Sequence, residues 1–278
     1  MTVADPPPLG RAVAYPDRSD PRLLFPIPRA QARAQIGLDD RALPFVGTDI
    51  WNAYELSWLD ARGQPRVAIA ELRVPVDSPH LVESKSLKLY LNGYAHERFD
   101  DSTNVQACIV RDLSAIADAQ VEVALIEPRD FVTQLTAELP GVSLDDLQLE
   151  IVDYGPPQPG YLQSQSSASP VEEVLVCQIF RSNCPVTGQP DWASVQLRYR
   201  GAPIDHAGLL RYLVSYRNHA DLHEACVERI FVEVMQRCAP QALSVYARFT
   251  RRGGLDINPW RATPGFGAAP SNTRGARQ

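Results

Sequence analysis

A cysteine and a carboxylic acid carry the first chemical signal in this chain. Cys184 lies in Arg181-Ser-Asn-Cys184-Pro-Val-Thr-Gly-Gln-Pro-Asp191-Trp192, a polar stretch of turn formers between two strand-like runs. Asp191, on the far arm of the Pro/Gly turn, can fold back toward the sulfur. The pair offers a nucleophile and a proton donor or acceptor. The competing reading is an incidental exposed cysteine. The other four cysteines fall on strand or helix patterns, where an inert buried thiol is expected.

Two further clusters stand where a helix is expected to begin. His223 and Glu224 open a long helical pattern. There they either read the polar edge of a base or, with Asp221 as N-cap, form an ordinary capping arrangement. Glu83-Ser84-Lys85-Ser86 sits at a strand-to-helix transition, where amides, an ammonium and two hydroxyls suit a phosphate. A solvated helix cap is the plain alternative. Of 27 basic side chains only Lys85 and Lys88 are lysines, and they lie at helical spacing. Either this is chance in an arginine-biased sequence or something here requires a compact amine. His223 and Cys226 share a helix face, but no further ligands stand at metal-site spacing, so no metal is expected. Glycine-rich dinucleotide and phosphate loops are absent; Arg252-Gly253-Gly254 is the nearest approach.

The elements that must hold these residues follow the same order twice. Strand-like Trp51–Leu59 and Arg66–Val76 join through Asp60–Gly63. A short helix over Ser86–Gly93, a longer one opening at Thr103 with Gln106 in a capping box, and strands over Val121–Ile126 and Leu147–Val152 follow. The second half repeats this: strands Val174–Arg181 and Ser194–Arg200, helices Ile204–Arg217 and Asp221–Cys238, and strand Leu243–Phe249. Leu87–Tyr94 aligns with Leu209–Tyr216, Ala107–Arg111 with Ala225–Arg229, and Val121–Val123 with Leu243–Val245, at offsets of 122, 118 and 122. The expected fold is therefore α+β, a duplicated unit with antiparallel sheets. The expected organisation is an N-terminal arm over 1–45 with a short helix at 29–35, a first module over 46–154, a Pro/Ser-rich linker over 155–170, a second module over 171–261 and a tail over 262–278 that hugs the surface or frays.

At 278 residues the chain is long enough for about two domains. Its 45% hydrophobic and 22% charged content is that of an ordinary globular protein. No run reaches the roughly 18 apolar residues of a membrane span, and no basic-then-apolar leader opens the sequence. A net charge of −6 argues against a broad grip on nucleic acid. Five cysteines, an odd number without an export pattern, point to reduced thiols in the cytoplasm.

Several long motifs in order now resemble one family. Glu83-Ser-Lys-Ser-Leu-Lys-Leu-Tyr90, Ser182–Trp192, His223-Glu224, Ser244–Arg248 and Arg251–Trp260 are similar to 7-cyano-7-deazaguanine reductases, the NADPH-dependent nitrile reductases of queuosine biosynthesis. The likeness runs from about Leu43 to Trp260, and its length matches the two-module form. It implies tandem tunnelling-fold modules with helices on one face of antiparallel sheets, a fold shared with pterin- and purine-handling enzymes. It implies that Cys184 attacks the nitrile to give a covalent thioimide and that Asp191 donates a proton. His223 and Glu224 would bind substrate, with Val82, Glu83 and Ser84 lining its other side. Ser84, Lys85, Arg252 and Gly253 would hold NADPH; the role of Lys88 stays open. The expected partner is the free base 7-cyano-7-deazaguanine rather than nucleic acid or membrane, and the expected assembly is a homodimer. The rival readings are a zinc-dependent cyclohydrolase on the same fold and a non-catalytic purine- or pterin-binding module.

Overall fold

The computed structural model describes residues 15–278, so Pro6, Pro7 and Pro8 of the expected arm lie outside the described residues. In chain order the elements are β1 (Pro26–Pro28), α1 (Arg29–Gln35), β2 (Val46–Leu59), β3 (Pro65–Pro75), β4 (His80–Val82), α2 (Ser84–Asn92), α3 (Ser102–Ala117), β5 (Glu122–Ile126), β6 (Val142–Ser143), β7 (Val171–Asn183), β8 (Pro190–Gly201), α4 (His206–Val214), α5 (His223–Cys238), β9 (Ala242–Phe249) and β10 (Leu255–Ala262). The chain is a mixed α and β protein that divides into two compact units. Of the described residues the first holds 15–31, 50–134 and 251–256; the second holds 32–49, 135–250 and 257–278. These bounds differ from 46, 154 and 171, the module edges read from composition.

In the first unit β5, β3 and β2 lie side by side in that order. β5 runs antiparallel to β3, with Ile69 opposite Ile126 and Arg73 opposite Glu122. The turn from β2 to β3 closes through Asp60 N–H to the Gln64 carbonyl, and Gly63 takes φ +85°, a conformation open to glycine. α3 buries Val105, Ile109, Leu113 and Ala117, spaced along one helical stripe. Its N-cap is Asp101, whose carboxylate accepts the Asn104 N–H at 2.9 Å. The expected capping box at Thr103 is thus replaced by the preceding acid, and Gln106 instead donates to the Val123 carbonyl at 2.6 Å. β1 pairs antiparallel with β4, placing Pro26 opposite Val82.

In the second unit the order is β10-β9-β8-β7-β6. All neighbours are antiparallel except the short parallel pair β6 and β7. Burial alternates along β8, so every second side chain from Asp191 through Ala193, Val195, Leu197 and Tyr199 faces the core. The strand expected over Leu147–Val152 is absent. β6 occupies the edge of β7 instead, and the Asp145 carboxylate takes the Gln178 N–H at 2.9 Å, which leads the chain off the sheet. Residues 135–154 consequently belong to the second unit, not the first.

The repeat is written into both helical pairs. In the first unit Tyr90 and Tyr94 meet hydroxyl to hydroxyl at 2.6 Å, and Tyr90 donates to Asp112 at 2.7 Å. In the second, Tyr212 and Tyr216 meet at 2.8 Å, and Tyr212 donates to Glu233. Both ring pairs are edge-on at 5.4 Å. Burial pushes the Tyr94 hydroxyl up to about 12 and raises Tyr90, Tyr212 and Tyr216 as well, so all four remain neutral donors. α3 and α5 start at 102 and 223, an offset of 121, and both end on a left-handed residue, Asp118 and Ala239. The 118-residue offset drawn from Ala107–Arg111 is therefore three residues out of register.

Candidate active site

The end of the β7–β8 hairpin positions the cysteine and the acid. Ser182 stands opposite Asp191 and Asn183 opposite Pro190, and the Cys184 N–H donates to the Gln189 carbonyl at 2.8 Å. Gly188 turns the loop at φ +67° and returns an N–H to the Cys184 carbonyl at 3.0 Å. Cys184 follows Ser182 by two residues, hence on the same face of the ladder as Asp191. Both are buried, at 4% and 6% exposure, while Pro185–Gln189 are exposed. This burial disposes of the incidental exposed cysteine. A carboxylate at the core face of a strand otherwise lined by Ala193, Val195 and Leu197 is costly unless it is used.

The same hairpin end captures the start of α5. The Asn183 N–H donates to the His219 carbonyl at 2.8 Å, and the Asp221 N–H donates to the Asn183 carbonyl at 3.1 Å. This short parallel bridge fixes where α5 begins. Its N-cap is Leu222, which contributes no side-chain cap; Asp221 accepts the Leu222 N–H at 2.9 Å and lies 3.4 Å from His219 Nε2. Asp221 is therefore not the N-cap of α5, and Glu224 lies buried in the first turn. His223 Nε2 stands 3.4 Å from Asp191 Oδ2. Its ring stacks on Phe249 with centroids 3.8 Å apart and planes within 4°. His223 Nδ1 is buried and makes no hydrogen bond, leaving a ring nitrogen for a ligand. Cys184, Asp191, His223 and Glu224 thus gather in one unit. Phe249, their stacking support, was not among the residues expected from sequence.

Burial holds the other second-unit thiols in the protonated form. It pushes Cys238 up to about 11 and raises Cys177 and Cys226 further, with Asp145 adding to the effect at Cys177 and Asp221 and Asp191 at Cys226. Among the described residues no group of three or more His, Cys, Asp or Glu side chains is arranged to hold a metal ion.

In the first unit Val82, Glu83, Ser84 and Lys85 form the junction of β4 and α2. Glu83 is buried and caps the helix, its carboxylate accepting the Lys85 and Ser86 N–H groups at 2.8 Å each. The Ser86 hydroxyl donates to the Glu83 carbonyl at 2.6 Å and accepts the Phe25 N–H. The leading amides expected to cradle a phosphate are therefore committed to the chain's own carboxylate. Desolvation raises the Glu83 carboxyl above its ordinary value, opposed by those amides, the Lys85 charge and the Ser84 hydroxyl.

Arg252 and Gly253 lie at the turn before β10. Gly253 and Gly254 take φ +64° and +81°, and Arg252 N–H closes the turn to the Leu255 carbonyl at 2.8 Å. A Cβ at Gly254 would meet the Glu55 carboxyl carbon at 2.4 Å, and one at Gly253 would lie 3.4 Å from the Lys88 ammonium. Lys88 pairs with Glu55 at 3.5 Å, and these residues line a small cleft with Leu56, Asn92 and Leu255. The two glycines of the turn contribute no side chain, and the cleft beside them holds one acid, Glu55, and one base, Lys88. Lys88 stands at the cleft, whereas Lys85 lies one turn earlier on the same helix.

Two family models match the chain. One, described as nitrile reductase, 7-cyano-7-deazaguanine-reductase N-term, covers residues 15–125, and one described as QueF-like protein covers 190–265. The NADPH-dependent 7-cyano-7-deazaguanine reductase of Stenotrophomonas maltophilia (strain K279a) is 60% identical over 270 residues, covering 97% of both chains. That of Bordetella avium (strain 197N) is 55% identical over 278 residues and covers both chains fully. A crystal structure of the archaeosine synthase QueF-Like in the apo form is 22% identical, covers 36% of this chain and 99% of its own, and gives a TM-score of 0.31. Full-length identity at this level, joined to a buried cysteine and aspartate with a histidine against them, means that the chain belongs to the NADPH-dependent 7-cyano-7-deazaguanine reductases.

Proposed function

We propose that this protein reduces the nitrile of 7-cyano-7-deazaguanine to the aminomethyl group at the expense of two NADPH, a step of queuosine biosynthesis, through a covalent bond to Cys184. The observation that carries this reading is the convergence of Cys184, Asp191 and His223 at the buried end of one hairpin. The Cys184 sulfur attacks the nitrile carbon; a C–S bond forms as one C–N π pair moves to nitrogen. Asp191 takes the thiol proton as the C–S bond forms and passes it to that nitrogen, leaving a neutral thioimide whose carbon is a far better hydride acceptor than the linear nitrile. NADPH, when bound, supplies the hydride for each of the two reductions. After the first, the C–S bond breaks as the nitrogen lone pair forms the C=N bond, Cys184 leaves as the thiolate and an imine remains to accept the second hydride, and solvent protons restore the thiol and complete the amine nitrogen. Burial around Cys184 keeps water from that hydrolysable imine.

His223 Nδ1 and the Glu224 carboxylate are suited to the polar edge of the base, because a carboxylate accepts two N–H donors at once. Val82, Glu83 and Ser84 are the first unit's substrate-binding residues in this reading. Ser84, Lys85, Arg252 and Gly253 hold NADPH through side-chain charge and hydroxyl and the glycine cradle. The duplicated tyrosine–carboxylate helices support tandem tunnelling-fold modules. A homodimer in the cytoplasm acting on the free base is the setting; the net charge of −6 favours a free base over tRNA.

The test is the mass of the intact protein after incubation with 7-cyano-7-deazaguanine without NADPH. The wild type gains one substrate mass and Cys184→Ala none, and full turnover consumes two NADPH per nitrile. Normal turnover by the alanine variant would overturn the assignment of the nucleophile.

A further inference from the structure

His223 is held between Asp191 and the ring of Phe249, so the position of Phe249 sets where the histidine points. The backbone of Phe249 has an unusual support. Its neighbour Thr250 donates an N–H to the Trp192 carbonyl of β8 at 2.9 Å, which turns the Phe249 N–H and carbonyl toward the β10 side. On that side the ladder from β9 to β10 has already stopped. Its register runs from Ala262 opposite Ser244 to Trp260 opposite Tyr246, and the next residue, Pro259, has no N–H to give.

Two side-chain amides make up the missing bonds. Asn258 Oδ1 accepts the Phe249 N–H at 3.1 Å. Gln278 Nε2 donates to the Phe249 carbonyl at 3.1 Å and to Asn258 Oδ1 at 2.7 Å. The Gln278 amide is itself oriented, since its Oε1 accepts the Gly275 N–H at 2.9 Å. The segment that carries it is tied down: Ala276 N–H donates to Glu138 at 2.8 Å, and Arg277 donates to the Gln178 carbonyl. Gln278 is 7% exposed. A surface-hugging or frayed tail would leave this glutamine in water.

We propose that Gln278 is a positioning residue of the active site: its amide completes the hydrogen bonding of Phe249 and thereby fixes the ring against which His223 stacks to receive the nitrile substrate. The inference rests on the substrate-binding role proposed for His223. Losing the Gln278 donor leaves a buried carbonyl without its partner and lets the Phe249 backbone move. The error is passed to the histidine ring rather than to the glycine cradle of the first unit.

The experiment measures KM for both substrates in Gln278→Ala and in the near-isosteric Gln278→Glu, together with nitrile affinity by calorimetry in the absence of NADPH. The expected result is a rise of about tenfold in KM and Kd for 7-cyano-7-deazaguanine, the scale of one lost buried hydrogen bond. KM for NADPH stays within about twofold of the wild type. A general loss of structure would move both constants together, so the split distinguishes positioning from folding, and equal shifts in the two would overturn the proposal. Unchanged nitrile affinity in both variants would overturn it as well. A wild type that binds no nitrile would instead bring down the functional reading on which the proposal rests.

Discussion

Three buried carboxylates stand where an apolar residue or a cap would be the ordinary choice, and each has a different justification. Asp191 occupies the core face of β8 beside His223, Glu224 lies in the first turn of α5 without serving as a cap, and Glu83 does cap α2. Glu83 gives a pH-dependent signature whose sign follows from its raised carboxyl. A raised folded-state value means the folded protein holds the proton over a window in which the unfolded chain has released it. The associated stability is present below the unfolded value of about 4.5 and lost as pH rises through the folded one. Glu83→Gln removes that linkage. Urea unfolding between about pH 4 and 7, a range that brackets this ordinary carboxyl value, should therefore show the wild type losing ground against the variant as pH rises; a constant difference would contradict the assignment.

At the scale of elements, strand ends and helix starts do the positioning. The Asn183 bridge to residues 219–221 fixes the first turn of α5 against the β7–β8 hairpin, and the glycine turn before β10 borders the cleft beside Lys88. Gly254→Ala should cost about 1–3 kcal/mol, because a non-glycine residue must adopt a left-handed backbone while its Cβ displaces Glu55. Gly253→Ala should cost less, since its Cβ reaches only ordinary contact distance from Lys88. Denaturant midpoints of the two variants check the order, and the reverse order would refute the cradle geometry. The repeat was legible in the paired tyrosines 122 residues apart, but the middle alignment slipped by three. A shift of three residues nearly preserves the face of a helix, so periodicity alone cannot detect it.

At the scale of the whole molecule, stability in the second unit depends on charge as well as on apolar packing. Arg33, Arg261, Glu228 and Asp49 are all buried. Glu228 accepts from Arg33 at 2.9 Å and from Arg261 at 2.9 Å, and Arg261 pairs with Asp49 at 2.8 Å. Burial works against the Arg261 charge, yet the two acids more than offset it and its guanidinium stays protonated. Glu228→Ala leaves two guanidinium groups without their shared acceptor, and a loss of about 3–5 kcal/mol is expected by chemical denaturation. A loss below about 1 kcal/mol, the scale of an exposed pair, would mean that water reaches the cluster.

The sequence by itself determined the family motifs and most of the elements. Cys184, Asp191, His223 and Glu224 stood out as candidates by type and by motif, and apolar periodicity located both helical pairs because burial of one face is a local pattern. Tertiary structure decided what sits beside what. Phe249 meets His223 across 26 residues and Gln278 meets Phe249 across 29, separations over which no periodicity extends. It also decided which polar groups were already spent, as when Glu83 took the amides that looked ready for a phosphate. Local patterns reflect the interactions a residue can make with near neighbours, whereas hydrogen-bond donors and acceptors are allotted only when distant segments arrive.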